Sequence, residues 1–447
     1  MTTAAQSNVR LSMELYQRAL KLIPGGTQLI SRRPNRLAYG MSPIYVTEGL
    51  GARVRDVDGN WHLDWMSAIL SVILGHRNPA VNEAVMAQIG AGSVFSVNHP
   101  IEIEYAEELT RTIPCAEMVR YSKTGGEACA MAVRIARGAT GRDKVLFCGY
   151  HGWHDWYLAA NLDEATRLDE HLFSGIDPIG VPRALAGTAL PFKYGDLPML
   201  ENLLRRHSDE VACVIMEPMR SQLPPAGYLG SVRDAVHRAG AILIFDEVST
   251  GYRPSLGGAQ QFLGVVPDMA VFAKSISNGF AMSAVVGKRE FMEPAGRMFI
   301  SSTYWSDTVG IAAALATLRE MRRIDGVKKI HVTGRLLREA LNAAIEKSGL
   351  DAACEGMDWQ PVIKFRNVPQ DLYPKVTTLF VQEMARERIL ASPSFSINCA
   401  HTREDIEQTA TAAERAFKVI RSGLDQNRID ALLETEVMKE SFRRLVV

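Results

Sequence analysis

The sequence predicts an α/β protein built on a mostly parallel sheet in a large domain, with a smaller α+β domain completing the chain. Two observations carry this. From about residue 118, short unbroken apolar stretches alternate with helical ones, and after about Gly326 long helical periods take over. A strand that is apolar on both faces belongs inside a sheet covered by helices on both sides, the setting of parallel sheets.

The elements follow in order. An amphipathic helix covers about Arg10 to Leu22 and stops at Pro24-Gly25-Gly26. In RVRDVDGNWHLDW, Asp58-Gly59 reads as the turn of a hairpin. The same run does not suit a calcium loop, because Ser67 stands where the final Glu would be needed and the Gly is out of place. Strands are expected at MVRYS (118–122), KVLFCG (144–149), CVIME (213–217), ILIFDE (242–247) and MAVFA (269–273). Helices such as Glu127 to Arg137 and Gly230 to Ala239 separate them. Further helices are expected over Gly326 to Lys347, Thr377 to Ile389 and Thr402 to Gly423, with short strands at PVIKF and SFSIN. A charged amphipathic helix should close the chain from Asn427 to Arg444. The expected organisation is an N-terminal segment (1–60) that joins the smaller domain, a large domain (61–325), and the remainder of the smaller one (326–447).

Composition removes several functions. Lys+Arg 50 balance Asp+Glu 50, so the chain lacks the basic surface a nucleic-acid partner demands. Its longest apolar runs, such as Ala241 to Phe245, fall far short of the roughly 18 residues that cross a bilayer. The N-terminal stretch has no apolar core of a secretory signal. The six cysteines are scattered without a C-x-x-C pair, as buried thiols in a reducing compartment would be. A cytoplasmic protein without membrane partners is expected.

Parallel sheets bind ligands beyond the carboxyl ends of their strands, so the residues there deserve inspection first. After MVRYS, Thr124-Gly125-Gly126 opens a helix, where bare backbone N–H groups and the helix dipole favour a phosphate. After KVLFCG comes Tyr150-His151-Gly152-Trp153-His154, offering an aromatic face for a planar ring. His151 and His154 are too closely spaced for one face of a strand, and no third ligand is signposted nearby, so no metal is expected. Asp246 follows ILIF, and Lys274 follows MAVFA. A lysine leaving an apolar strand is costly to bury as a charge, which suits a Schiff-base former. A buried carboxylate suits a pyridine nitrogen. A structural Lys274–Asp246 ion pair remains open on these two residues alone. A phosphate cup, a stacking aromatic, an acid and a Schiff-base lysine in this order together point to pyridoxal 5′-phosphate.

Over about residues 15 to 425 the sequence resembles the class III aminotransferases, fold-type I enzymes dependent on pyridoxal 5′-phosphate, and most of all their glutamate-1-semialdehyde aminomutase-like branch. The resemblance rests on LIPGG, DVDGN, ILGH, KTGGEA, YHGW, IMEP, LIFDEVSTGYR, FAKSISNG and SAVVGKRE. It implies that Lys274 forms the Schiff base and then moves the proton, and that Asp246 pairs with the pyridinium N–H. It further implies that Tyr150 and Val248 sandwich the ring, with His151 in the same cofactor site. Thr124, Gly125 and Gly126 would hold the phosphate, and Glu217 would stand as a supporting acid. Thr303, in SSTYW, would reach the phosphate of a second subunit, which implies a homodimer with shared active sites.

Two departures bear on substrate. The family's Asn-Ser-Gly-Thr-Glu-Ala loop reads Lys123-Thr124-Gly125-Gly126-Glu127-Ala128, so a threonine hydroxyl gives way to bare backbone at Gly126. The aminomutases' Ser-Pro-Val-Arg stretch reads Leu29-Ile30-Ser31-Arg32, and their Gln-Phe-Glu segment becomes Ser392-Pro393-Ser394-Phe395, with no carboxylate. An aminotransferase that moves an amino group from a small-molecule donor to a carbonyl acceptor is therefore expected ahead of an aminomutase, and a racemase comes third. Arg32 and Arg33 could bind a substrate anion, although exposed arginines are more often solvated surface.

Overall fold

The computed structural model describes residues 9–438 apart from 170, 172–174 and 220. The chain divides into two compact units: the described residues up to Asn78 together with those from Lys328 on, and Pro79–Val327. The stretch 61–78 thus lies with the N-terminal segment.

In the first unit the helix Arg10–Leu22 forms as expected. Asp58 accepts the N–H groups of Leu11 and Ser12 at 2.7 and 3.0 Å, so the hairpin turn also caps that helix. Strands β1 (Val46–Leu50), β2 (Arg53–Asp56) and β3 (Trp61–Asp64) run antiparallel in turn. Asp56 fixes the β2–β3 turn by accepting Asn60 N–H at 2.7 Å and holding His62 Nε2 at 2.7 Å.

The second unit is organised by a seven-stranded sheet. Its strands are β4 (Met118–Ser122), β5 (Lys144–Cys148), β6 (Ala189–Pro191), β7 (Val211–Met216), β8 (Ile242–Asp246), β9 (Met269–Phe272) and β10 (Ser283–Gly287). They lie in the order β4-β10-β9-β8-β7-β5-β6. From β6 to β9 all pairings are parallel, and only β10 runs against both of its neighbours. The five expected strands are present. The sequence reading did not anticipate β6, which is three residues long, or β10, which enters antiparallel between β4 and β9. Strands β7, β8 and β9 are buried along their whole length, which is why they read as unbroken apolar runs.

The rest of the first unit holds three corrections. Strands β11 (Ala352–Met357) and β12 (Gln360–Phe365) pair antiparallel, and β13 (Ile389–Leu390) adds in parallel to β3. At SFSIN only an isolated bridge forms, Ser394 opposite Val362: Phe395 and Ile397 donate to Pro361 and Trp359 beside β12, while Ser396 between them donates to Trp65. The helix expected over Thr377 to Ile389 is Tyr373–Arg386; Pro374 sits in its first turn, and Arg388, at φ +57°, turns the chain into β13. Among the described residues the closing helix is confined to Ile429–Leu432. Beyond it Gln382 and Thr378 accept the N–H groups of Glu434 and Met438, and residues 439–444 of that expectation lie outside the described ones.

Candidate active site

Polar and titratable residues stand at the ends of the parallel strands. Asp246 closes β8 and is 4% exposed. Its Oδ2 lies 2.7 Å from His151 Nδ1 and accepts the Cys129 thiol at 3.5 Å, while its Oδ1 accepts the Val248 N–H at 3.0 Å. His151 comes from the loop after β5, and its Nε2 lies 3.2 Å from the Cys148 carbonyl oxygen. Ligating atoms of Cys129, His151 and Asp246 lie within 4.8 Å of one another. Burial, reinforced by the Asp246 charge, pushes the Cys129 thiol well above its ordinary range. The Cys129 thiol, the His151 ring and the Val248 N–H together fix the orientation of the carboxylate.

Lys274 follows β9 after Ala273, and its backbone lies at φ +52°. A non-glycine residue in that region is strained, and such strain concentrates at functional positions. Its Nζ donates to Ser249 Oγ at 2.9 Å. Sequence reasoning gave Ser249 no role, and the only signal was its place in the FDEVST run. Glu247, beside Asp246, turns away from this chemistry. It accepts Ala259 and Gln260 N–H groups at 2.8 and 2.9 Å and holds the Thr250 hydroxyl, which fixes the loop after β8. Burial pushes its carboxyl pKa up.

Glu217 follows β7 and accepts the Tyr150 N–H at 3.3 Å. Between them Gly149 has φ +113°, and a Cβ there would stand 2.5 Å from Glu217 Oε2, so only glycine fits. Tyr157 donates to the Gly149 carbonyl at 2.8 Å, and the Gly149 N–H reaches His171 Nδ1 at 3.2 Å. Tyr150 packs edge-on against Tyr157, with ring centroids 6.0 Å apart.

Beyond β4 the helix Gly125–Thr140 begins in a capping box: Thr124 Oγ1 accepts Glu127 N–H, and Glu127 accepts the Thr124 N–H in return. The N–H groups of Gly125 and Gly126 take no part in it and stand at the positive end of the helix dipole. A Cβ on Gly125 would meet the Val248 methyls at 3.0 and 3.1 Å, so bare backbone lets the loop after β8 approach the cup. Thr303, by contrast, is not gathered with these residues. It is exposed at the start of the short turn Thr303–Ser306. Asp307, next along, caps the helix Thr308–Arg323 and pairs with Lys123 at 2.9 Å. Arg32 and Arg33 are exposed in the first unit.

A buried, donor-fixed carboxylate, a lysine on the neighbouring strand end and a backbone anion cup fit the ring nitrogen, aldehyde and phosphate of pyridoxal 5′-phosphate. The comparisons agree. The family model described as Aminotransferase class-III matches residues 36–352. The chain is 34% identical over 423 residues to a 3-aminobutyryl-CoA aminotransferase of Cloacimonas acidaminovorans, covering 92% of this chain and 98% of that one. It is 33% identical over 431 residues to a glutamate-1-semialdehyde 2,1-aminomutase of Hyperthermus butylicus, covering 92% and 99%. Among solved structures, a transaminase with bound pyridoxal phosphate superposes with a TM-score of 0.83 at 28% identity, covering 93% of this chain and 98% of the other.

Proposed function

The chain belongs to the class III aminotransferases and is a fold-type I, pyridoxal 5′-phosphate-dependent aminotransferase, and we propose that Lys274 and Asp246 carry its chemistry. The cofactor, when bound, supplies an aldehyde that carries the amino group and a ring that accepts electrons. Asp246 would hold a proton on the ring nitrogen, its own position set by His151, Cys129 and the Val248 N–H. Lys274 Nζ would attach the cofactor and, once released by an incoming amine, move the proton lost from the substrate carbon. Ser249 would hold that amine in place between turnovers. Gly125, Gly126 and Thr124 would bind the phosphate, Tyr150 and Val248 would flank the ring, and Glu217 would brace the Tyr150 loop. One observation carries this reading: β8 and β9 pair in parallel with Asp246 opposite Val271, so the acid and Lys274 leave the sheet side by side.

Two further parts belong to the proposal. Homodimers with shared sites are supported by apolar residues that the second unit leaves open, Val97 at 80% and Phe299 at 85% exposure, and by the exposure of Thr303. A cytoplasmic location is supported by the six free cysteines.

The relative acting on 3-aminobutyryl-CoA makes amines on a β-carbon the first donors to screen. The experiment is a half-reaction: the holoenzyme is mixed with a donor, the cofactor's absorbance is followed, and the deaminated product is identified by mass spectrometry. Bleaching that is reversed only by a separate carbonyl compound is expected. Isomerisation of one molecule without an acceptor would favour the aminomutase, for which the aminomutase-named relatives speak. Loss of chirality alone would mean a racemase.

A further inference from the structure

Gly126 and His154 meet at the mouth of the phosphate cup. A Cβ built on Gly126 would lie 3.2 Å from both Nδ1 and Cε1 of His154, and 3.5 Å from the Gly152 Cα. The imidazole thus fills the space that a side chain at position 126 would take. Gly152, at φ +107°, makes the approach possible, since its own Cβ would come within 2.7 Å of the Gly126 Cα. Trp153 stacks on the ring of His154, with centroids 4.7 Å apart at 23°. The His154 Nδ1 is buried, yet it has no hydrogen-bond partner among the described residues. A buried polar atom left without a partner lowers stability, and proteins keep few of them. This one stands against the first turn of a helix whose Gly125 and Gly126 N–H groups are outside the capping box.

We propose that His154 is a phosphate ligand, its Nδ1 donating to the cofactor phosphate and supplying the side-chain donor that Gly126 lacks. The proposal rests on reading Thr124-Gly125-Gly126 as the phosphate cup. The ring donates from Nδ1 either as that neutral tautomer or as the imidazolium. Position 126 and position 154 are then alternatives: a side chain at one leaves no room for the ring of the other.

The test compares pyridoxal 5′-phosphate with pyridoxal, which has the same ring and aldehyde but no phosphate. Binding of each to the apoenzyme is titrated by absorbance, and bound phosphate is followed by 31P NMR. His154→Ala should raise the dissociation constant of pyridoxal 5′-phosphate about 10- to 100-fold. It should leave that of pyridoxal within about twofold and shift the 31P resonance. Gly126→Thr alone should weaken the phosphorylated ligand, because the new side chain meets the imidazole. Adding it to His154→Ala should recover most of the loss. His154→Gln, which keeps a donor of similar size, guards against a variant that merely unfolds the loop. Equal losses for both ligands in His154→Ala, or no loss for either, would overturn the proposal while a wild-type preference for the phosphorylated ligand left the cup standing. If the wild type binds both equally, the cup reading itself falls.

Discussion

At the scale of single residues, the proposed chemistry rests on Lys274 and Asp246. Lys274→Ala should lower amino transfer by about 10³-fold or more with the fold intact, since Ser249 can hold an amine but cannot bond an aldehyde productively. Turnover assays beside far-ultraviolet circular dichroism check this; a variant with substantial activity would mean another residue carries the proton. Asp246→Asn should slow proton abstraction by about 10²-fold or more and loosen the cofactor, because a neutral amide does not keep the ring nitrogen charged. Single-turnover rates with a deuterated donor separate this from a defect in binding. These two residues were legible because each follows a buried strand whose apolar run announces itself in the sequence. Cys129, Ser249 and His171 were not, because each acts on a residue far from it in the chain, and no local pattern records such an approach.

Elements are held by constraints that a single methyl or a single proton can break. Gly149→Ala should destabilise the protein by about 2 kcal/mol or more, since it combines a clash with Glu217 and a left-handed backbone. Thermal unfolding measures the loss, and an unshifted midpoint would show that the β5 loop yields easily. In the first unit, Trp65 stacks on His401 with ring centroids 3.8 Å apart. Burial pushes that imidazole down to about 4. An unfolded histidine titrates near 6.5, so below that pH protons bind the unfolded chain first. Stability should therefore fall as pH drops from about 6.5 to 4, by on the order of 3 kcal/mol, and level off below. Denaturant titrations across this range, with His401→Gln flattening the slope, test the assignment. At this scale the strands of the parallel sheet were readable, whereas SFSIN was not: it lies along the β12 side as a strand would, yet only Ser394 bridges to it and Ser396 turns to Trp65.

For the whole molecule, the expected dimer makes a quantitative claim on Thr303. If its hydroxyl completes a partner's phosphate site, Thr303→Ala should raise the dissociation constant of pyridoxal 5′-phosphate by about tenfold or more, the worth of one hydrogen bond to a charged group. Analytical ultracentrifugation should show dimers in both proteins. A fully active monomer, or unchanged affinity, would remove the shared site. The domain layout has a different kind of consequence. The Trp61–Asp64 strand completes one side of its sheet with Ile389–Leu390, about 325 residues further along. At the usual 5–20 residues per second of synthesis, the early strand waits roughly 15 to 65 s on the ribosome for its partner. The uninterrupted Pro79–Val327 unit, by contrast, has all its strands in hand before the part of the first unit from Lys328 on is translated. The nascent chain therefore matures from its middle outward, and its opening segment is the part exposed longest to chaperones and proteases.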